Sequence, residues 1–371
     1  MKRVLFVSNH AGFIKFNAPY MQWLANNGFQ VDNISPGIDK EYENYATHHY
    51  DVDIKRNPFS LTNIKAIRET RKILKSNKYE MIHCHTPMGS VVARLASIGL
   101  DTKVLYTVHG YHFFKNSSLL SWILYYPIER LLKFKTDYMV TINNEDYEFA
   151  KTHKMSKHLP YKINGVGFRQ NFTSVEINEK IRLRREIGFD KEDFILLYTA
   201  QFIKRKNHKF IIETIPLLIE NIQNLRVVFV GDGVLFDEMK QLTSDLGISE
   251  VVSFMGGRRD VYKFCQIADV YISSSFQEGL CVSNLEAMAC GIPLVLTDIR
   301  GQNDVCVDGV NGYLYDVNDT NKFVEALVIL SSDKEIYERI SKQNIKDVNK
   351  FSLENSLASM ASIYKEILGI K

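Results

Sequence analysis

Residues 269–291 read DVYISSSFQEGLCVSNLEAMACG. The apolar run that ends at Ser275 has the character of a buried strand. The loop FQEGLCV follows, with Gly279 giving it backbone freedom. A helix is expected to begin near Ser283, an N-cap residue type, with Glu286 three residues later as in a capping box. The first amides, at Leu280, Cys281 and Val282, would then be free to meet a phosphate. Glu278 on the loop and Glu286 in the first turn are eight residues apart and can face one ligand. Paired carboxylates accept hydrogen bonds from hydroxyls, which suits a sugar. The same spacing also fits a capping Glu286 and a solvated loop acid at Glu278.

Working outward, other short apolar runs lie at 3–8, 81–85, 103–109 and 138–143, then at 194–200, 225–232, 251–256 and 293–298. They lack alternation, as strands covered on both faces do. Helical patterns lie between them, at 17–27, 63–76, 207–221, 234–246, 259–267 and 283–290. Such alternation predicts right-handed βαβ units in a doubly wound α/β fold. It occurs twice, on either side of a polar, glycine-bearing segment at 162–180, read as a linker. The 371 residues therefore divide into two Rossmann-like parallel-sheet domains. Ligands of such sheets bind at the strands' carboxyl ends, so the site is expected in a cleft that the domains face.

Composition narrows the function. Charged residues make up 24% and hydrophobic residues 45%, which excludes a disordered or fibrous chain. Five cysteines stand apart, none in a CxxC pair, as in a reducing cytoplasmic compartment. The N-terminus has too short an apolar run for a signal peptide, and no apolar stretch is long enough to span a membrane. Residues 1–170 hold 23 Lys and Arg against 14 Asp and Glu, whereas 171–371 hold 23 against 29. The +9 half is expected to face an anionic surface, unless the segregation is chance. No GxGxxG follows a strand and no P-loop is present, which argues against a nicotinamide enzyme or a P-loop kinase. Asp51 and Asp53 form a DxD, and His83 and His85 share one side of a strand. The histidine pair has no evident third ligand nearby, the DxD lies in an early loop or edge strand, and both are read as structural. Residues 119–135 combine Trp122, Tyr125 and Tyr126 with Arg130, Lys133 and Lys135, and Pro127 is expected to kink or divide the helix. This suits a membrane interface, or else a core helix with a basic end.

The 269–291 segment resembles the E-x7-E motif of retaining glycosyltransferases of the GT-B fold, in the large family-four group. The likeness continues through FMGGRRDV at 254–261, GIPLVLTDIRG at 291–301 and VDGVNGYL at 307–314. HCHTPMGS at 83–90, LYTVHGYHFFK at 105–115 and the 119–147 block resemble the bacterial capsule and exopolysaccharide branch. The resemblance covers essentially the whole chain. It implies that Glu278 contacts hydroxyls of the donor sugar and Glu286 the ribose hydroxyls. The backbone at Leu280, Cys281 and Val282 would bind sugar and phosphate, and Lys206 would neutralise the diphosphate. Gln201 stands where the family usually has an arginine, so Arg205 or Lys204 is expected to supply that charge. Gly12 matches the glycine-bearing loop that approaches the diphosphate. His109 matches the histidine near the reacting carbon, and Arg258 the region that reads the base.

The implied reaction moves a hexose or N-acetylhexosamine from a nucleotide diphosphate sugar, UDP-linked by that resemblance, to a lipid-linked saccharide. It would proceed with retention, without a metal or other cofactor, and with His109, Glu278 and Lys206 as the candidate catalytic residues. Residues 1–165 would bind the acceptor, with a terminal helix at 352–371 packing back on them, and 166–351 would bind the donor. The enzyme would sit peripherally on the cytoplasmic face of a bacterial membrane, held by anionic lipid, with no nucleic-acid partner. The other readings are an epimerase or a phosphorylase on the same fold, or an inactive sugar-binding scaffold.

Overall fold

The computed structural model describes residues 2–115, 117–168 and 170–370. Arg169, in the expected linker, and Lys371, at the end of the expected terminal helix, lie outside the described residues. So do Met1 and Asn116. The chain forms two compact units, Met1–Val166 with Glu354–Lys371, and Gly167–Leu353.

The first unit is built on a seven-stranded sheet. Its strands are β1 (Lys2–Val7), β2 (Phe29–Ser35), β3 (His48–Asp51), β4 (Met81–His85), β5 (Lys103–Val108), β6 (Tyr138–Thr141) and β7 (Tyr161–Lys162). Their order is β3-β2-β1-β4-β5-β6-β7, and every pairing is parallel. The second unit holds β8 (Phe194–Thr199), β9 (Leu225–Val230), β10 (Val252–Phe254), β11 (Val270–Ser273), β12 (Leu294–Thr297) and β13 (Gly312–Tyr315), ordered β10-β9-β8-β11-β12-β13. It too is parallel throughout. Helices joining consecutive strands shield both faces, so the central strands are almost wholly apolar and buried. Each fully buried Leu, Ile or Val there contributes roughly 1.5–3 kcal/mol.

The order of each sheet reverses once, between β1 and β4 in the first unit and between β8 and β11 in the second. At such a point the loops leaving two neighbouring strands diverge to opposite faces and open a crevice. The loops after β1 and β4 carry Gly12 and Thr86, while those after β8 and β11 carry Lys206 and Glu278.

Three expectations change. The linker is shorter than 162–180, because Lys162 ends β7 and a helix starts at Ile177. The helix with Pro127 runs unbroken from Leu119 to Leu132. Pro127 lies on its exposed side, where water can serve the carbonyl left without a donor. Trp122 and Tyr126 turn inward, with rings 5.2 and 5.5 Å from that of Phe113. The outer face is mainly aliphatic instead: Leu120, Ile123 and Leu131 are exposed at helical spacing, followed by exposed Phe134 in the turn that continues the helix. The terminal helix Leu353–Leu368 packs on the first unit, where the Tyr364 hydroxyl lies 2.8 Å from His83 Nδ1 and the Tyr20 hydroxyl 2.6 Å from Ser356 Oγ. Among the described residues, no helix is long and apolar enough to cross a membrane.

Glycines 231 and 233 have a packing role. A Cβ on Gly231 would lie 2.0 Å from the carbonyl oxygen of Ala200, and one on Gly233 2.4 Å from that of Phe202. The loop after β9 thereby lies against the loop after β8 and fixes its path. Gly231→Ala should lower stability by about 2–4 kcal/mol, since the clash is with backbone and cannot relax by a rotamer change. Urea unfolding of the two proteins checks this, and an unchanged midpoint would show that the two loops do not depend on each other.

Candidate active site

In the second unit, the loop after β8 closes into a short 3-10 turn, Lys204–Lys206, before the helix His208–Asn221. The loop after β11 carries Phe276, Gln277 and Glu278 to the helix Val282–Ala289. Because β8 and β11 are neighbours, the two loops meet. Lys206 Nζ lies 2.6 Å from Glu278 Oε1, and Arg205 reaches the same oxygen at 3.0 Å. Two hydrogen bonds lock the loops together: Phe276 donates its amide to the Arg205 carbonyl at 2.9 Å, and the Arg205 guanidinium donates to the Gln277 carbonyl at 2.6 Å. The Tyr198 hydroxyl donates to the Lys206 carbonyl at 2.8 Å.

Glu278 and Lys206 are both buried, with relative exposures of 7% and 8%. Burial works to raise the Glu278 pKa, but Lys206 and Arg205 outweigh it and hold the carboxyl below its ordinary value. Burial works to lower the Lys206 pKa, while Cys281 and Glu278 hold it above its ordinary value. Glu278 and Lys206 are therefore both charged at neutral pH, beside the Arg205 guanidinium. One carboxylate between two cations leaves the cluster with a net single positive charge, poised for an anion. Lys204 is exposed and makes no ion pair among the described residues. Of the two candidates for the charge missing at Gln201, the geometry brings only Arg205 into the cluster. Gln201 itself is exposed at the start of the same loop.

The helix that follows begins one residue before the expected position. Cys281 is its N-cap, without a side-chain capping bond, and Ser283 lies in the first turn. The Ser283 hydroxyl ties the turn to the sheet instead, bonding the Thr199 carbonyl at 3.2 Å and the Tyr271 hydroxyl at 2.9 Å. No capping box forms. The amides of Leu280, Cys281 and Val282 have no protein acceptor among the described residues, as a helix start aimed at an anion requires. Glu286 is half-buried on the same helix. Arg258 belongs to another loop, where it pairs with Asp260 at 2.8 Å.

Two residues outside the expected site support the Glu278 loop from behind. Arg300 Nε donates to the Glu278 carbonyl at 3.2 Å. Gly301, with φ of +80°, admits the loop closely: a Cβ there would lie 2.4 Å from the Gly279 carbonyl oxygen. Both belong to the DIRG segment quoted above, but a supporting role needs three-dimensional proximity and has no spacing signal.

In the first unit, His109 directly follows β5 and Gly12 lies in a 3-10 turn after β1. His109 Nε2 lies 3.1 Å from His85 Nδ1, and the Phe13 ring meets His109 edge-on at 4.9 Å. His85 Nε2 is buried with no partner. Buried N–H groups without an acceptor are rarer than under-used acceptors, so the His85 proton is assigned to Nδ1. His109 Nε2 then accepts it, and the His109 proton sits on Nδ1. In this form His109 offers a hydrogen-bond donor rather than a free base. His83 is held between the Tyr364 and Thr107 hydroxyls, each at 2.8 Å. Asp51 accepts the Gly37 amide at 2.8 Å, and Asp53 pairs with Lys55 at 2.9 Å.

Comparison with known proteins gives the family. Residues 179–347 match the model for glycosyl transferases group 1, and residues 3–143 match that for glycosyl transferase 4-like domains. The chain is 37% identical over 370 residues to the putative glycosyltransferase EpsD of Bacillus subtilis (strain 168), covering 98% of this chain and 96% of that protein. The chain belongs to the group 1 glycosyltransferases. It is also 25% identical to the Escherichia coli UDP-Gal:alpha-D-GlcNAc-diphosphoundecaprenol alpha-1,3-galactosyltransferase, over 84% of this chain and 82% of that one. The crystal structure of Anabaena Alr3699/HepE in complex with UDP and glucose superposes with a TM-score of 0.81 at 16% identity, covering 99% and 100% of the two chains. Sucrose-phosphate synthase from Thermosynechococcus elongatus gives 0.82, also at 16% identity, with both chains fully covered. These likenesses show the GT-B fold, and the chain is a glycosyltransferase related to enzymes of polysaccharide biosynthesis.

The buried histidines of this glycosyltransferase give stability a pH dependence. Burial holds the pKa of His83 and of His208 down to about 3, and that of His109 to about 4. The unfolded chain takes up these protons near pH 6.5, the folded chain only well below it. The stabilisation is thus complete above about pH 6.5 and is lost as pH falls, by about 1 kcal/mol per pH unit from each of His83 and His208. Urea midpoints should therefore drop between pH 7 and pH 5. Equal midpoints would mean that these rings are already protonated in the fold.

Proposed function

We propose that this glycosyltransferase moves a hexose or N-acetylhexosamine from a UDP-linked donor to a lipid-linked saccharide, with retention at the anomeric carbon. The observation that carries the donor site is the Lys206–Glu278–Arg205 cluster beside the free amides of Leu280–Val282. In this reading Lys206, with Arg205 and the helix start, meets the diphosphate, and no metal ion is needed for that charge. Glu278, its Oε1 fixed by two cations, accepts from donor-sugar hydroxyls, and Glu286 from the ribose. His109 donates from Nδ1 to the reacting sugar, Gly12 lets backbone approach the diphosphate, and the Arg258 loop reads the base. The leaving phosphate itself helps remove the acceptor proton, so no carboxylate acts as a covalent nucleophile. The acceptor class rests on the E. coli relative, whose name specifies a diphosphoundecaprenol-linked sugar.

Charge grows on the diphosphate as the glycosidic bond breaks, so Lys206→Ala should lower turnover by roughly 10²-fold or more. Glu286→Ala should chiefly raise the donor Michaelis constant, because ribose contacts persist through the reaction. Lys204→Ala, outside the cluster, serves as the control. Equal small losses for Lys206→Ala and Lys204→Ala would remove Lys206 from the diphosphate.

The same reading places the protein on the cytoplasmic face of a membrane. Leu120, Ile123, Leu131 and Phe134 form an exposed apolar stripe on one helix face and its continuation, flanked by Arg130, Lys133 and Lys135. Arg130 and Lys135 also bond the carbonyls of His153 and Leu100, at 2.7 and 3.1 Å, so they shape the helix end as well as its charge. The aliphatic stripe is therefore the better target for mutation. Replacing Leu120, Ile123 and Leu131 together by Ser should weaken binding to anionic vesicles and leave UDP affinity intact. Wild-type binding should fall as salt rises, since each Lys or Arg near the surface contributes about 1 kcal/mol that salt screens. Undiminished vesicle binding by the triple variant would exclude this face.

A further inference from the structure

His85 is a buried imidazole for which the donor chemistry has no use. It ends β4, and its partner across the ladder to β5 is Thr107, two residues before His109. Its ring is confined on three sides: between ring centres, Phe6 stacks at 5.9 Å, His83 lies at 4.1 Å and Phe13 at 5.4 Å. His83 is itself pinned, since the Tyr364 and Thr107 hydroxyls hold both its nitrogens. An apolar ring would fill the same space without leaving a polar atom unserved, as His85 Nε2 is. Burying such an atom costs free energy, so stability does not account for a histidine here. Burial, with His83 and His109 nearby, holds the His85 pKa well below its ordinary value. The ring is therefore neutral at pH 7, with one donor nitrogen and one acceptor.

The nitrogen that does find a partner is Nδ1, 3.1 Å from His109 Nε2. One of these two facing atoms carries the proton. Were it His109 Nε2, the His85 proton would be stranded on its buried, partnerless Nε2. With the proton on His85 Nδ1, only an acceptor goes unused, which is the cheaper defect. We propose that His85 is a positioning residue for glycosyl transfer: its Nδ1–H holds His109 in the tautomer whose own proton sits on Nδ1, aimed at the reacting sugar. The bond made by one ring nitrogen decides which form the other takes. Without His85, His109 could carry its proton on Nε2 and turn a lone pair toward the sugar, so the donor to the transition state would be lost. The inference rests on the reading of His109 as a donor to the sugar, but the tautomer is measured without substrate.

The full-length protein is labelled with ¹⁵N-histidine, and long-range ¹⁵N–¹H correlation at neutral pH reports which nitrogen of each ring bears hydrogen. His109→Asn assigns the His109 signals. Wild-type His109 should be protonated at Nδ1. His85→Phe keeps a ring in the stack but removes the donor, and should move the His109 proton at least partly to Nε2. His85→Asn, whose amide nitrogen stands near the place of Nδ1, should restore the wild-type form. Turnover is read as UDP release from whichever of UDP-glucose, UDP-galactose and UDP-N-acetylglucosamine the wild type uses. It should fall roughly 10- to 10²-fold in His85→Phe, no more than removal of a donor outright would cost, and largely recover in His85→Asn. The donor Michaelis constant should stay within about twofold in both, because ground-state binding is untouched. Wild-type His109 protonated at Nε2 overturns the proposal. So does a His109 tautomer that is unmoved in His85→Phe, whether or not turnover falls, since a loss without that signature reports packing alone. A tautomer that moves while turnover holds would support the grip of His85 on the ring and strike instead the reading of His109 as donor to the sugar.

Discussion

Lys206 and Glu278 are 72 residues apart and meet at 2.6 Å because β8 and β11 are neighbours at the point where the second sheet reverses its order. That pairing constrains much of what surrounds it. A buried carboxylate with no cation would cost several kcal/mol, so the two loops must arrive together. Gly231 and Gly233 let the β9 loop press on the Lys206 loop, and Gly301 and Arg300 hold the Glu278 loop from the other side. The free amides of the following helix are placed by the same path. The proposed diphosphate site would thus be a consequence of sheet topology before it is a matter of individual side chains.

Much of this was legible in the sequence because parallel strands announce themselves. Runs such as Phe194–Thr199 and Leu225–Val230 are apolar on both faces and bounded by polar loops. β2 escaped because its interior carries Asp32, Asn33 and Ser35, which look like loop residues. Inside the fold Asp32 accepts the Tyr79 hydroxyl at 2.6 Å, and Asn33 lies 3.0 Å from His49 Nδ1. β3, β7 and β13 are short edge strands, only two to four residues long, with too little sequence for a pattern. The helix Leu119–Leu132 was marked, but its sequence left open which face turns inward, because aromatic residues suit either an interface or a core.

The candidate site shows the same division. Glu278 and the Leu280–Val282 backbone were marked by spacing along the chain, and Lys206 by the family resemblance. The choice of Arg205 over Lys204 was not, since adjacent residues in a turn differ only in where they point. Nor was the pairing of His85 with His109, which depends on β4 lying beside β5. The capping box failed for a related reason: the Ser283 hydroxyl donates to the Thr199 carbonyl and accepts from the Tyr271 hydroxyl across the sheet, and so is not left to cap its own helix.

The central claim is that the switch point of the second sheet receives the diphosphate of a nucleotide. A crystal structure of the full chain with UDP tests it most directly. The account predicts phosphate oxygens within hydrogen-bond distance of Lys206 Nζ and of at least one amide from Leu280 to Val282, with the ribose beside Glu286. UDP bound elsewhere, or a diphosphate at that position that leaves Lys206 paired only with Glu278, would contradict it.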